Sequence, residues 1–366
     1  MNEAIREIPM PMHQQASDPH ERLAPPRFDD VEPVFVVGFP RSGTTLLQVM
    51  LDAHPRLALL TEVHFFTEIL QIRRLVPSLD APADLARFLH LVRRCGHFRR
   101  LIDGEQLLAE VESRLNAESR RSYQLFYRLL LEENARLRGA ARFGEKTPPN
   151  VRYLDDLIAI FPRARIVHIV RDPRAAVASA LRMPWYPKEV VTNSLKWYLD
   201  VQAAQLFAER HPDLIYEVRY EDLVREPRRE LERICEFVGE SFDERMLQYH
   251  EGADQVVSMQ HEPWSKGITA PLYQERLASW ERELSPHQVY VIDRITGAVR
   301  ERAGYAAVTR AQRARWLLPV VFAESVIRYV PFKIKQSWLA RRGPGETGET
   351  KRLYRMLARL ITGRSR

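Results

Sequence analysis

A short apolar run that leads into a glycine-containing loop is the feature that most constrains this fold. The run Val34–Val37 is followed by the loop Gly38-Phe39-Pro40-Arg41-Ser42-Gly43-Thr44-Thr45. After the loop, apolar residues fall on one face of a helix: Leu46, Leu47, Met50 and Leu51. In a strand–loop–helix of this kind, backbone N–H groups and the helix N-terminus hold an anion. The order predicts a phosphate- or sulfate-binding loop, although such a loop alone is also common in ordinary turns.

The loop lacks one residue that a nucleoside-triphosphate site needs. Its two glycines are separated by four residues, as in a P-loop, but Thr44 stands where that motif has lysine. The positive charge within the loop comes instead from Arg41. This difference argues against triphosphate hydrolysis and keeps the prediction of an anion site.

Short apolar runs alternate with helical patterns along the chain, which is typical of an α/β fold. We predict strands at Val34–Val37, at 57–60, through Arg142-Phe143-Gly144 to Lys146, at Arg165–Val170 and at 214–218. A helical region over about 83–138 is long enough for several helices that cover a cleft. The expected fold is a three-layer αβα arrangement with a mostly parallel central sheet.

Length and charge divide the chain into three parts. The 366 residues, of which 45% are hydrophobic, can bury a large core. Residues 1–30 have no continuous apolar segment and predict a disordered leader; residues 31–305 form the enzyme-sized domain. Residues 306–366 carry 14 Lys/Arg and three Asp/Glu, so this basic extension accounts for the net charge of +7. A nucleic-acid-binding body is therefore not expected.

The basic extension contains an amphipathic helical pattern. Leu353, Met356, Leu357, Leu360 and Ile361 fall on one face, opposite Lys351, Arg352, Arg355 and Arg359. We predict a cytoplasmic protein that attaches peripherally to the inner face of an anionic membrane through residues 306–366. The alternative is that this apolar face packs on the enzyme body or on a second copy of the chain, as a homodimer. Two distant cysteines, Cys95 and Cys235, are expected to be buried thiols, with a disulfide as the alternative.

Two motifs together resemble a known family. Val36 to Leu47, followed by Asp52-Ala53-His54-Pro55, is similar to the 5′-phosphosulfate loop of sulfotransferases that use 3′-phosphoadenosine 5′-phosphosulfate (PAPS). The segment Val170-Arg171-Asp172-Pro173 with Ser179 eight residues after Arg171 resembles the family's 3′-phosphate segment. The likeness covers about residues 33–305 and is closest to the branch with tyrosylprotein and carbohydrate sulfotransferases. It implies a P-loop-like sulfotransferase fold.

The resemblance also implies roles for individual residues. Glu62, 21 residues after Arg41, matches the general base of the tyrosylprotein branch, while Lys146 assists the leaving group together with Arg41. His64 and His54 are the other candidates for the general base. The alternative for Glu62 is a solvent-exposed loop residue without a catalytic role. The implied PAPS-binding set comprises Pro40, Arg41, Ser42, Gly43, Thr44, Thr45, Arg171, Ser179, Tyr220, Lys266 and Gly267. No metal is expected.

Several of these assignments have structural alternatives. The alternative for Arg171 is a structural ion pair with Asp172 or Glu145, but its position at a strand end favours a ligand. The loop Ser265-Lys266-Gly267, followed by Trp280, resembles the late loop of the family that closes over PAPS. The alternatives are a solvent-exposed Lys266 and a Trp280 that only packs against its neighbours. His168 is expected to be a buried core residue. Residues 85–138 and the loop 183–188, with Trp185 and Tyr186, are expected to shape the acceptor cleft.

The sequence thus predicts an enzyme that moves a sulfuryl group from PAPS to a hydroxyl. A glycan, a phenol, an acidic peptide or a lipid-linked hydroxyl would each serve as acceptor. Two other classes remain open. One is a P-loop kinase or nucleotidase; the other is a non-catalytic protein that binds the desulfated product PAP and docks on membranes.

Overall fold

A five-stranded parallel sheet forms the centre of the molecule. The structure, a computed structural model, describes residues 31–256, 268–270 and 277–308. The strands are β1 (Val34–Val37), β2 (Leu57–Thr61), β3 (Arg142–Lys146), β4 (Arg165–Val170) and β5 (Ile215–Arg219). Their order is β2-β3-β1-β4-β5, and each neighbouring pair is parallel. The mostly parallel sheet is confirmed. Strand β5 begins one residue later than predicted, because Leu214 closes the short helix Pro212–Leu214.

Helices follow the strands and cover both faces of the sheet. Those of the first half are α1 (Thr44–Asp52), α2 (Pro82–Arg93), α3 (Gly104–Ala117), α4 (Tyr123–Leu137) and α5 (Leu154–Ile160). The second half contributes α6 (Pro173–Arg182), α7 (Val190–Arg210), α8 (Tyr220–Arg225), α9 (Pro227–Val238), α10 (Ala253–Val256), α11 (Trp280–Glu283) and α12 (Pro286–Arg302). The region 83–138 therefore contains three helices, as its length predicted.

Alternate residues of β1 pack into different cores, because successive side chains of a strand point to opposite faces. Phe35 and Val37 join a cluster with residues of α2, α3 and α4. Val34 and Val36 join a second cluster with α1 and α9. All four side chains are buried. The sheet is thus sandwiched between two helical layers, and the predicted three-layer arrangement is confirmed.

The order of the strands brings distant parts of the sequence to one edge. β1 lies in the middle of the sheet: the chain forms β2 and β3 on one side of it and then crosses over to form β4 and β5 on the other. In parallel α/β sheets, ligands bind at the carboxyl ends of the strands near such a switch point. Lys146 at the end of β3 pairs in register with Val36. Residues that end or follow each of the five strands therefore lie together at the carboxyl ends of the sheet.

The structure decides several side predictions. Cys95 and Cys235 are both buried free thiols, so the disulfide alternative is wrong. His168 is fully buried and its Nδ1 lies 2.9 Å from a Glu217 carboxylate oxygen, which confirms a core role. His54 follows α1 and contacts the Ser241 carbonyl at 2.9 Å.

Parts of the predicted organisation lie outside the described residues. They are the leader 1–30, Lys266, Gly267 and nearly all of the basic extension 306–366. Within the described ranges, no helix combines the length and the apolar character needed to cross a bilayer.

Candidate active site

The glycine-containing loop lies between β1 and α1 and has the geometry of an anion cradle. Gly43 precedes α1 with φ 98°, and Arg41 also has a positive φ of 82°. Such left-handed residues turn successive N–H groups toward one point. A Cβ added to Gly43 would lie 2.3 Å from the Tyr220 ring, so only glycine fits. No side chain caps α1, and its first turn carries no acidic residue.

The β4–α6 segment closes the other side of this loop. The Arg41 Nε donates to the Ser179 hydroxyl at 3.3 Å, and the Arg171 guanidinium donates to the Arg41 carbonyl at 3.3 Å. Arg171 also stacks on the Tyr220 ring, with its guanidinium carbon 4.3 Å from the ring centre. The two predicted PAPS-binding segments therefore meet in space.

The ion pairs predicted as alternatives for Arg171 are absent from the described part of the chain. Asp172 instead accepts from Arg174 at 2.7 Å, and Glu145 accepts from Tyr127. The buried Nε of Arg171 and the buried hydroxyl of Ser42 have no hydrogen-bond partner in the structure. Because buried polar groups are normally paired, two unpaired donors beside an open helix N-terminus fit a phosphate or sulfate ligand.

Lys146 connects this loop to Glu62. Its side chain is fully buried, and its ammonium lies 2.6 Å from a Glu62 carboxylate oxygen and 3.4 Å from the Thr45 hydroxyl. Glu62 follows β2, and its N–H donates to the Lys146 carbonyl at 2.7 Å. The base and the cation implied by the family resemblance are thus held side by side at adjacent strand ends.

The turn that carries Glu62 has an unusual backbone. Glu62 and His64 have positive φ values of 42° and 54°, which cost about 1–3 kcal/mol each in residues other than glycine. Between them, the Val63 N–H donates to the buried Glu145 carboxylate at 3.1 Å. Glu145 also accepts from the Tyr127 hydroxyl and from the Asn150 amide. This buried network holds the strained turn in place.

Two opposing effects set the protonation of Glu62. Burial alone would raise its pKa, but the Lys146 ammonium and the neighbouring His64 hold that pKa well below its usual range. Burial also lowers the pKa of His64, with Glu62 opposing this only in part. Glu62 is therefore a carboxylate at neutral pH, while burial makes the protonated form of His64 less favourable. Of Glu62 and His64, only Glu62 has a pKa that favours its proton-accepting charged form.

A pair of histidines lies beside Glu62. The rings of His64 and His97 stack with centres 3.6 Å apart, and the His97 Nδ1 contacts Glu68 at 2.5 Å. One ligand atom each from Glu62, His64 and His97 lie within 4.8 Å of one another, a set of residue types that also occurs in metal sites. One feature disfavours a cation here, because the Lys146 ammonium already contacts the Glu62 carboxylate at 2.6 Å.

A cavity of about 310 Å³ opens next to Glu62. It is lined by β2, by residues 97–107 and by the end of α4. The region 85–138 therefore borders a cleft beside Glu62, and the binding of the acceptor in this cleft stays a prediction. The loop 183–188 does not line this cavity; its Tyr186 ring lies 6.2 Å from Phe39 of the anion loop.

The sequence missed the residues that surround Glu62. His97 and Glu68 follow no motif, and only the fold brings His97 onto His64. Glu221 in the first turn of α8 is buried and accepts from the Asp172 N–H and the Tyr305 hydroxyl. Trp280 packs over Arg174, with 4.8 Å between the guanidinium carbon and the ring centre, which agrees with its packing alternative.

Comparison with known proteins identifies the family. A model described as the sulfotransferase family matches residues 33–244, more than half of the chain. This chain belongs to the sulfotransferase family. The predicted family of PAPS-dependent sulfotransferases is thereby confirmed, and with it the prediction of an enzyme.

Individual relatives agree with this membership. The chain is 24% identical to a putative protein-tyrosine sulfotransferase of Caenorhabditis briggsae, over 68% of this chain and 80% of that protein. It is also 24% identical to protein-tyrosine sulfotransferase A of Caenorhabditis elegans, over 81% and 72% of the two chains. The sulfotransferase domain of the Synechococcus PCC 7002 olefin synthase covers 76% of this chain and 97% of its own, with TM-score 0.55 and 23% identity. That likeness supports the fold.

Proposed function

We propose that this sulfotransferase moves the sulfuryl group of PAPS to a hydroxyl acceptor, with Glu62 as the general base. The observation that carries the proposal is the position of Lys146. Its ammonium reaches both the Glu62 carboxylate and Thr45 of the anion loop, at 2.6 and 3.4 Å. A base for the acceptor and a cation for the donor thus stand next to each other.

The donor would be held at two points. The loop from Pro40 to Thr45 offers N–H groups and hydroxyls to the 5′-phosphosulfate, and the unpaired Ser42 hydroxyl supports this use. Arg171 presents paired donors suited to a terminal phosphate. Ser179 and Tyr220 complete this side through their contacts with Arg41 and Arg171. The residues present therefore fit a ligand with two separate anionic groups.

In the reaction, Glu62 takes the proton of the acceptor hydroxyl while the hydroxyl oxygen forms a new bond to sulfur. The bond between sulfur and the bridging phosphate oxygen breaks, and its electron pair stays on that oxygen. Lys146 and Arg41 stabilise the charge that develops there. A positioned base contributes about 10²–10⁴-fold to such a step.

A thermal-shift experiment tests the donor site. PAP should raise the melting temperature, since a ligand that binds only the folded state stabilises it by about 2.7 kcal/mol at a hundred times its dissociation constant. ATP with magnesium should not, because it lacks a 3′-phosphate. Arg171→Ala should reduce the PAP shift, whereas Arg228→Ala, which removes a surface ion pair with Glu244, should leave it unchanged. Equal shifts from ATP and PAP would remove the case for a 3′-phosphate site and favour a P-loop kinase.

A further inference from the structure

A segment near the C-terminal end of the described residues packs beside the strand end that carries Arg171. We propose that Tyr305 is a positioning residue, which acts through Glu221 to hold Arg171 in place for the 3′-phosphate of the donor. Tyr305 lies beyond residues 33–244, the part of the chain that matches the family model. This role rests on the proposed function, because it takes Arg171 as a ligand of PAPS. Hydrogen bonds, packing and the attachment of residues 303–308 support it.

The main-chain groups on both sides of Arg171 are held by these side chains. The Tyr305 hydroxyl lies 2.6 Å from one carboxylate oxygen of Glu221 and 3.4 Å from the Val170 carbonyl oxygen. The other Glu221 oxygen accepts from the Asp172 N–H at 3.1 Å. The backbone from which the Arg171 side chain extends is therefore fixed before and after that residue.

The hydrogen bond between Tyr305 and Glu221 has a defined direction. Tyr305 is 5% exposed, and burial together with the neighbouring Glu221 carboxylate raises the pKa of Tyr305 well above its usual range. The tyrosine hydroxyl therefore keeps its proton at neutral pH and donates it to the carboxylate. Because a buried carboxylate needs donors, Glu221 is held between Tyr305 and the Asp172 N–H.

The Tyr305 ring belongs to a buried cluster that includes both segments of the proposed donor site. Phe39 of the anion loop and Val170 at the end of β4 lie in this cluster. Trp197 of α7 lies in it as well, and its indole N–H donates to the Arg171 carbonyl at 3.0 Å. Close packing of this kind fixes where the ring stands, and the ring in turn fixes where its hydroxyl stands. Loss of the whole ring would disturb both segments, whereas loss of the hydroxyl alone would act on the side of Arg171.

The segment 303–308 is itself attached to the domain. The buried Arg300 guanidinium donates to the Tyr305 carbonyl, and the Tyr305 N–H donates to the Arg300 carbonyl at 3.1 Å. Arg174 of α6 donates to the Ala306 carbonyl at 3.2 Å. The segment is therefore bound both to α12 and to α6, the helix that follows Arg171. Tyr305 thus has a fixed position relative to the proposed 3′-phosphate site.

Tyr305→Phe in the full-length protein tests the hydroxyl alone, because phenylalanine keeps the packed ring. Glu221 then loses a donor and is held less firmly against the Asp172 N–H. We expect the affinity for PAP, measured by calorimetry, to fall about tenfold, the scale of one hydrogen bond to a charged group. Adenosine 5′-phosphate lacks the 3′-phosphate, so its affinity should be the same in the variant and in the wild type. A general loss of stability would not distinguish between the two nucleotides.

Tyr123→Phe is the matched control. Tyr123 is also 5% exposed, and its hydroxyl donates to the Val76 carbonyl at 2.6 Å. It begins α4 and belongs to a different buried cluster from Tyr305. The melting temperature should fall in both variants, but the affinity for PAP should fall only in Tyr305→Phe.

Glu221→Gln tests the same link from its other end. The amide has a single acceptor oxygen, so it cannot reproduce the separate contacts of the two carboxylate oxygens. Because both changes act on one path, their effects on PAP affinity should not add in the double variant. Full additivity would show that Tyr305 does not act through Glu221 and would overturn the proposal.

The remaining outcomes separate this role from the proposed function. Absence of PAP binding by the wild-type protein would count against the proposed function itself. With wild-type binding intact, an unchanged PAP affinity in Tyr305→Phe would overturn the role of Tyr305 alone. An equal loss for both nucleotides, or an equal loss in Tyr123→Phe, would overturn it too. If Tyr305→Phe does not fold, Glu221→Gln decides by the same comparison of the two nucleotides.

Discussion

Replacing Glu62 by glutamine is the most direct perturbation of the proposed chemistry. The amide keeps the shape of the side chain and still accepts from the Lys146 ammonium, but it cannot take a proton from the acceptor. Loss of a positioned base costs about 10²–10⁴-fold in turnover, which corresponds to about 2.7–5.4 kcal/mol of transition-state stabilisation. PAP affinity should not fall, because Lys146 is no longer held by a carboxylate that competes with the donor.

The control for this variant is Glu68→Gln. The Glu62 and Glu68 side chains are each 26% exposed, and each contacts a histidine of the stacked pair. Glu62 differs by its contact with Lys146. Turnover is measured with radiolabelled PAPS at saturating donor and acceptor, and PAP affinity by calorimetry. We expect a loss of less than tenfold for Glu68→Gln.

Two results would refute the reasoning. Wild-type turnover in Glu62→Gln would exclude Glu62 as the base and make His64, 3.5 Å from it, the next candidate. Equal losses in both variants would show that the carboxylates act by supporting the histidine pair. Neither result would bear on the proposed donor site, because PAP affinity is measured independently of turnover.

Three further predictions concern the loop, the pH dependence and the extension. Gly43→Ala should abolish PAP binding in a calorimetric titration, because its Cβ would meet the Tyr220 ring at 2.3 Å and φ is 98°. The pKa of Glu62 is depressed in the folded state, so its ionised form contributes stability above the unfolded pKa of about 4.3 and loses it as pH falls. The melting-temperature gap between wild type and Glu62→Gln should therefore be largest at neutral pH and narrow below about pH 4. Removal of residues 306–366 should abolish co-sedimentation with anionic liposomes at low salt; equal pelleting of both chains, or of neither, would rule out membrane attachment through this extension.

The strand ends were the part of the site that the sequence predicted well. Apolar runs stop where polar residues begin, as at Val170-Arg171 and Thr61-Glu62, and parallel strands bring such ends to one edge. The position of Glu62 came from the family resemblance. Neither the strand ends nor the resemblance predicted the ion pair between Glu62 and Lys146, because this contact depends on the register between β2 and β3.

The remaining features arise from packing between distant segments. His97 lies 33 residues after His64, immediately before the short helix Phe98–Arg100, which no periodicity marks. Asn134 is an ordinary polar residue of α4 in the sequence, and only the packing of α4 beside β2 leaves its amide unpaired. The helical pattern of 83–138 predicted that a cleft exists. Which side chains face this cleft depends on how α2, α3 and α4 pack against one another and against the sheet.

The distribution of the site over the sheet ties activity to the completeness of folding. Arg41, Glu62, Lys146, Arg171 and Tyr220 each follow or end a different strand, and they span about half of the chain. In a parallel sheet each of these neighbours is joined by a long crossover, so none of the site forms from local contacts alone. A partly folded chain, with even one strand unpaired, lacks a component of the centre. Catalysis in this protein therefore requires all five strands to be paired, and activity on heating should be lost no later than the sheet.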